Sequence, residues 1–188
     1  MRKLSNILFV FFSVFFVVYL LLPSPEFPTP LGDAAQSVEP ADSETSDRRA
    51  YFTNTSREAA LDHYQNKFKL SVFGLNIPSY KLNYPPEEAY TIIRDQTRST
   101  HLKEIVYPFR ESLFVNEFVA KQAKDDIWYK GIHYQSKITV HVKRSNVYVR
   151  LVVGLVTLSL TYLIVGEAYA AVGRFVKVLP KIKYIFIK

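Results

Sequence analysis

The sequence predicts an α+β domain, short helices packed on an antiparallel sheet, flanked by two transmembrane helices. Two apolar stretches frame the 188-residue chain: residues 7–22 (ILFVFFSVFFVVYLLL) and residues 151–165, the second extending to Gly173 if Glu167 is tolerated. Each can reach the roughly 20 residues that a helix needs to cross a bilayer core of about 30 Å. Between them, helical spacings come early and two-residue alternation comes late, the order expected of helices segregated from an antiparallel sheet.

Charge gives this frame a direction. Residues 23–147 carry sixteen basic and sixteen acidic side chains, so the net charge of +7 resides beside the apolar stretches. Arg2 and Lys3 precede the first, Arg150 opens the second, and Arg174, Lys177, Lys181, Lys183 and Lys188 follow it. Basic residues beside spans are retained in the cytoplasm. Both termini are therefore expected there, with the middle exported and the protein integral to the plasma (inner) membrane. Residues 1–22 also have the order of a secretory signal, but the apolar run is longer than a usual signal core and ends in prolines with no small-x-small site nearby. An uncleaved signal-anchor is the expectation.

Residues 23–47 read as a disordered acidic linker, with five prolines and six carboxylates against no Lys or Arg. A domain over residues 48–147 follows, and its basic excess leaves a loose electrostatic contact with that linker open. Thr55-Ser56-Arg57-Glu58 fits a capping box ahead of a short helix bearing Leu61, Tyr64 and Phe68. Phe68, Leu70 and Val72 then alternate into a strand ending at Gly74, and residues 79–84 read as extended chain. Pro86-Glu87-Glu88-Ala89 starts a second helix. A third helical pattern joins Leu102, Ile105, Val106, Phe109 and Leu113, with Pro108 kinking or ending it. Residues 113–120, 127–129 and 132–134 read as strands, the last two flanking Gly131. Ile138, Val140 and Val142 form a final strand, with Gln135-Ser136 as the hairpin turn before it. Phe109 and Val140 are the expected core positions. A transmembrane helix over residues 148–173 and a basic cytoplasmic tail over residues 174–188 complete the chain. The tail mixes five basic residues with Phe, Val, Ile and Tyr, as suits an anionic lipid leaflet, and Pro180 is expected to limit helix there to short pieces.

The residues that carry chemistry do not assemble into a motif. Without cysteine there is no disulfide, thiolate nucleophile or cysteine-based zinc site. His63, His101, His133 and His141 lack metal-ligand spacing, and only a hairpin could bring His133 and His141 together. Asp95, Ser99 and His101 are close in sequence but have no nucleophile elbow, and neither Ser112 nor Ser136 selects a partner lysine. Glu87 and Glu88 are explained by a helix start. Six glycines without a Gly-x-Gly-x-x-Gly or Gly-Lys-Thr cluster exclude phosphate-loop and dinucleotide folds. Aromatic and basic residues interleave at Trp128-Tyr129-Lys130 and Tyr134 to Lys137, a pattern that on an exported domain fits interfacial anchoring better than nucleic acid. Asn54-Thr55-Ser56 matches a glycosylation acceptor. Glu167, at the edge of the second apolar stretch, is expected to snorkel toward the interface near Arg174. No catalytic, cofactor-binding or metal residue is assigned. The functional expectation is a non-enzymatic binding or assembly module with a protein partner and the lipid bilayer. The alternatives are a membrane-anchored hydrolase acting on lipid or envelope polymer, and a small structural subunit of a membrane complex.

Overall fold

The computed structural model describes residues 2–72, 74–84, 101–120 and 122–185, with side chains for all of these except residues 2, 101, 102 and 176–185. The chain divides into two units, Pro23–Ser145 and the pair Met1–Leu22 with Asn146–Lys188.

Pro23–Ser145 is α+β. Its six-stranded antiparallel sheet has the order β1-β2-β10-β7-β6-β5, formed by Ala35–Gln36 (β1), Arg48–Thr53 (β2), Tyr80–Tyr84 (β5), His101–Val106 (β6), Ser112–Val119 (β7) and Ser136–Lys143 (β10). Two small hairpins stand apart from it: Leu70–Val72 (β3) with Leu75–Ile77 (β4), and Ile127–Tyr129 (β8) with Ile132–Tyr134 (β9). Successive side chains of a strand face opposite ways, and here both faces are covered. Tyr51, Leu113, Val115, Ile138 and Val140 are buried in the main core with Ala60, Tyr64 and Phe68 of the helix segment. That helix, α2 (Arg57–Lys67), is begun by Ser56, whose hydroxyl accepts from the Ala59 N–H. On the other face Phe52 meets Ile127, Tyr129 and Tyr134 of the β8–β9 hairpin, stacking on Tyr129 at 4.5 Å between ring centroids.

Several expectations are corrected. The capping residue is Ser56, not Thr55. The helical pattern from Leu102 to Leu113 is instead β6, a turn and the start of β7. β6 lies between β5 and β7, with Glu104 and Ile105 both buried, so its apolar residues need not alternate and their spacing imitates a helix. Gln135-Ser136 does not join a hairpin, because β9 pairs with β8 while β10 inserts between β2 and β7. The helix expected from Pro86 lies outside the described residues.

Residues 23–47, expected to be disordered, are laid along the domain. Their order comes from polar contacts rather than apolar periodicity. Asp33 accepts from the hydroxyls of Thr53 and Thr55 and from the Asn54 N–H, all within 2.9 Å. Lys137 pairs with Glu39 and Asp42, and Arg144 with Asp47. The electrostatic contact left open by the composition is thus a specific set of ion pairs. The Asp33 carboxyl feels burial, which raises its pKa, but the hydrogen bonds from Thr53, Asn54 and Thr55 outweigh that and hold it below the usual range.

The other unit contains helices α1 (Arg2–Leu21) and α3 (Val147–Ile185). Within them Lys3–Leu21 and Val147–Phe175 are long and apolar enough to cross a membrane. The helices pack antiparallel: Leu20 and Phe16 lie against Gly154, and Phe9 meets Tyr162 with ring centroids 5.3 Å apart. A β-carbon at Gly154 would collide with the Leu20 side chain, so glycine permits the close approach. The buried Arg150 guanidinium donates to the Leu20 carbonyl at 3.4 Å, satisfying an end-of-helix acceptor of α1. Contrary to expectation, α3 continues through Pro180 to Ile185.

Candidate functional site

The most constrained part of the domain is the turn between β6 and β7. Tyr107 and Glu111 close it by a Tyr107 N–H to Glu111 carbonyl bond of 3.1 Å, and inside it Arg110 N–H donates to the Tyr107 carbonyl at 2.9 Å. Pro108 and Phe109 are the central residues of that tighter turn. Phe109 has φ 61°, the conformation that a type II turn requires at its third residue and that glycine or asparagine normally supplies. Phe109 was expected in the core; the turn instead leaves it 45% exposed.

Beneath the turn lies a fully buried ion pair. Arg110 donates to Glu111 Oε1 from Nε at 3.1 Å and from Nη2 at 2.6 Å, and neither side chain is exposed. Burying two charges is costly unless the remaining donors and acceptors are also met. Here they are met by the two ends of the domain. Arg110 Nη2 donates to the Pro23 carbonyl at 3.0 Å, while Glu111 Oε2 accepts from the hydroxyls of Ser24 at 3.3 Å and Ser145 at 3.5 Å. Arg144 adds a bond to the Pro25 carbonyl. The Tyr107 hydroxyl donates to the Phe68 carbonyl and accepts from the Leu70 N–H, tying the same turn to the end of α2 and the start of β3. One ionic cluster therefore clasps the first and last residues of the domain. Sequence reasoning missed it: Arg110-Glu111 reads as an ordinary polar pair, and the available signal was Pro108 breaking an otherwise apolar pattern.

A second polar position lies between α2 and the sheet. Glu117 faces Arg57 across 3.8 Å, and burial raises its pKa, opposed by Arg57 and reinforced by Glu58. Such a carboxyl is a legitimate candidate acid. The adjoining cavity, lined by Arg57, Ala60, Lys103, Val115 and Ile138, holds about 10 Å³, room for about one water and not for a substrate.

The histidines are dispersed. His63 bonds the Thr29 carbonyl, His133 leans on Trp128 with ring centroids 5.1 Å apart, and His141 lies on β10 opposite Arg48 and Phe114. His133 and His141 sit on strands that do not pair. Burial, with Lys143 and Arg48 nearby, depresses the His141 pKa. Among the described residues no three His, Asp or Glu side chains are grouped to hold a metal. His101 occupies the β6 position opposite Glu117, and Asp95, Ser99, Glu87 and Glu88 lie outside the described residues. Ser136 is buried against the Thr53 carbonyl, Ser112 is buried on β7, and the Asn54 side-chain oxygen accepts from the Gln135 N–H.

The aromatic–basic stretch forms the β8–β9 hairpin, with Trp128 65% exposed on its outer face. It adjoins the Ser136 end of β10, whereas the chain leaves β10 for α3 after Lys143. Between α1 and α3, a cleft of about 670 Å³ is lined by Ser5, Asn6, Phe9, Tyr162, Gly166 and Glu167 among others, and Glu167 pairs with Arg174 at 3.8 Å. Compared with known proteins, the chain matches no family model, no curated protein and no solved structure.

Proposed function

We propose that the chain is a two-span integral protein of the plasma (inner) membrane that carries its α+β domain outside the cytoplasm as a non-enzymatic binding or assembly module. Lys3–Leu21 and Val147–Phe175 are the spans, both termini are cytoplasmic, and residues 174–188 rest on anionic lipid. The observation that carries this reading is the clasp at Arg110 and Glu111. A domain whose first and last residues are gathered onto one buried ion pair suits a module carried between two anchors, and its best candidate acid, Glu117, adjoins a cavity too small for a substrate. The exposed Trp128 hairpin, on the far end of β10 from the link to α3, is the surface offered to a protein partner.

Complementation of a deletion strain tests the non-enzymatic part. Glu117→Gln, His63→Asn, His133→Asn and His141→Gln should each restore the wild-type phenotype at normal protein abundance. A variant that accumulates and inserts normally yet loses the phenotype would shift the assignment to the membrane-anchored hydrolase.

A further inference from the structure

We infer that the Tyr107–Glu111 turn is a lipid-contact element, with Phe109 entering the bilayer interface. This rests on the reading of α1 and α3 as membrane spans and adds to it a third point of attachment, made by the domain itself.

Three observations point to this one occupant. The first is position along the chain. The turn is hydrogen-bonded to Pro23, Ser24 and Ser145. Pro23 lies two residues past the end of α1 at Leu21, and Ser145 two residues before the start of α3 at Val147. Two residues reach at most about 7 Å, and the apolar windows begin at those same helix ends. A turn tied to both junctions is held within reach of the surface where both spans emerge.

The second is local conformation. Phe109 takes a left-handed φ of 61° at a turn position where glycine is the inexpensive choice. That conformation is strained for a bulky side chain, and such strain persists where the surrounding structure over-determines it, often at functional sites. The buried Arg110–Glu111 pair and the Tyr107 hydroxyl bonds fix the residues on either side. Phe109 is thereby held at the turn, 45% exposed, rather than in the core.

The third is the chemistry around it. Lys143, paired on β10 with Ser112 just past the turn, and Arg144 after it are exposed. Aromatic rings flanked by basic groups are the composition of a membrane–water interface. A soluble protein partner would account for an exposed ring, but not for its neighbours Arg110 and Glu111 being hydrogen-bonded to Pro23, Ser24 and Ser145 at both ends of the domain.

The test uses the full chain in liposomes, with single cysteines at Phe12, Phe109 or Asp126 carrying an environment-sensitive fluorophore, the wild type having no cysteine. Lipids bearing a nitroxide near the headgroup should quench the probe at residue 109 several-fold more than the probe at 126. Lipids with a deep nitroxide should quench the probe at 12. Quenching at 12 without excess quenching at 109 overturns the lipid contact while leaving the spans intact. Absence of quenching at 12 overturns the two-span reading and the contact that rests on it. A benzophenone-bearing phenylalanine at position 109 keeps the ring and should form lipid adducts on illumination; exclusively protein adducts would assign the turn to a protein partner instead.

Discussion

Two turns in the domain have similar backbone geometry and opposite chemistry. At the tip of the β8–β9 hairpin, Lys130 and Gly131 have φ 51° and 78°, the two positive values that a type I′ hairpin turn needs, and glycine occupies the second. The β6–β7 turn has φ 61° at Phe109, where a phenylalanine stands in the left-handed region. The first turn follows the local rule at its second position, with Lys130 at the first, and among the described residues no buried ion pair lies beneath it. The second breaks the rule above a fully buried Arg110–Glu111 pair hydrogen-bonded to both ends of the domain. Local strain persists where the surrounding structure over-determines it, and the proposed lipid contact would give the strain at Phe109 a use beyond folding.

The largest expected effect comes from breaking the clasp. Arg110→Met leaves Glu111 buried without its cation, and removing one partner of a buried pair costs about 3–5 kcal/mol. Loss of a cooperative melt, or a steep fall in abundance, is expected for the full chain in detergent. The double variant Arg110→Met with Glu111→Leu should regain much of that stability, since apolar replacement of both partners is often neutral or better. A single variant that melts like wild type would show that the pair does not hold the ends together.

Gly131→Ala should cost about 1–2 kcal/mol, because an L side chain is placed in the left-handed region. Open space surrounds the new methyl, so no steric clash is added. Phe109→Gly relieves about 1–2 kcal/mol of backbone strain but gives up the buried part of the ring and roughly 0.5–1 kcal/mol in extra chain entropy, so its effect on melting should be small. A near-neutral melt together with loss of lipid contact would sharpen the contrast between the two turns; a large loss would mean that the ring serves packing first.

The smallest effect is at His141. Burial depresses its folded pKa below 6.5, so the unfolded chain takes up the proton first as pH falls. Its contribution is therefore nil well above pH 6.5 and destabilising below it. His141→Gln should shift stability by less than about 0.5 kcal/mol at pH 8 and should flatten the decline below pH 6.5 in a melting series.

Much of the sheet was legible. β7, the β8–β9 segments and β10 followed from β-forming runs and two-residue alternation, and Val140 is fully buried as its pattern implied. β6 was not legible, because a strand buried on both faces loses the period that distinguishes it from a helix. The order of residues 23–47 was hidden for a different reason. Asp33, Glu39, Asp42 and Asp47 are fixed by partners distant in sequence, whereas composition reports only how little apolar surface the segment has to bury. The clasp was invisible on the same ground: nothing in Arg110-Glu111 indicates that Pro23, Ser24 and Ser145 will meet it. Pairings of β9 and β10 depended on which strand each chose as neighbour, and adjacency in sequence favoured the wrong one.

The topology of the chain is the claim on which the rest stands, and accessibility of single cysteines measures it most directly. Ser46 and Asp126 are exposed on the domain, and Lys188 lies in the basic tail. In intact cells an impermeant thiol reagent should label Ser46→Cys and Asp126→Cys, and should reach Lys188→Cys only after the membrane is opened. Labelling at 188 in intact cells, or protection of 46 and 126, would contradict two spans with an exported domain between them.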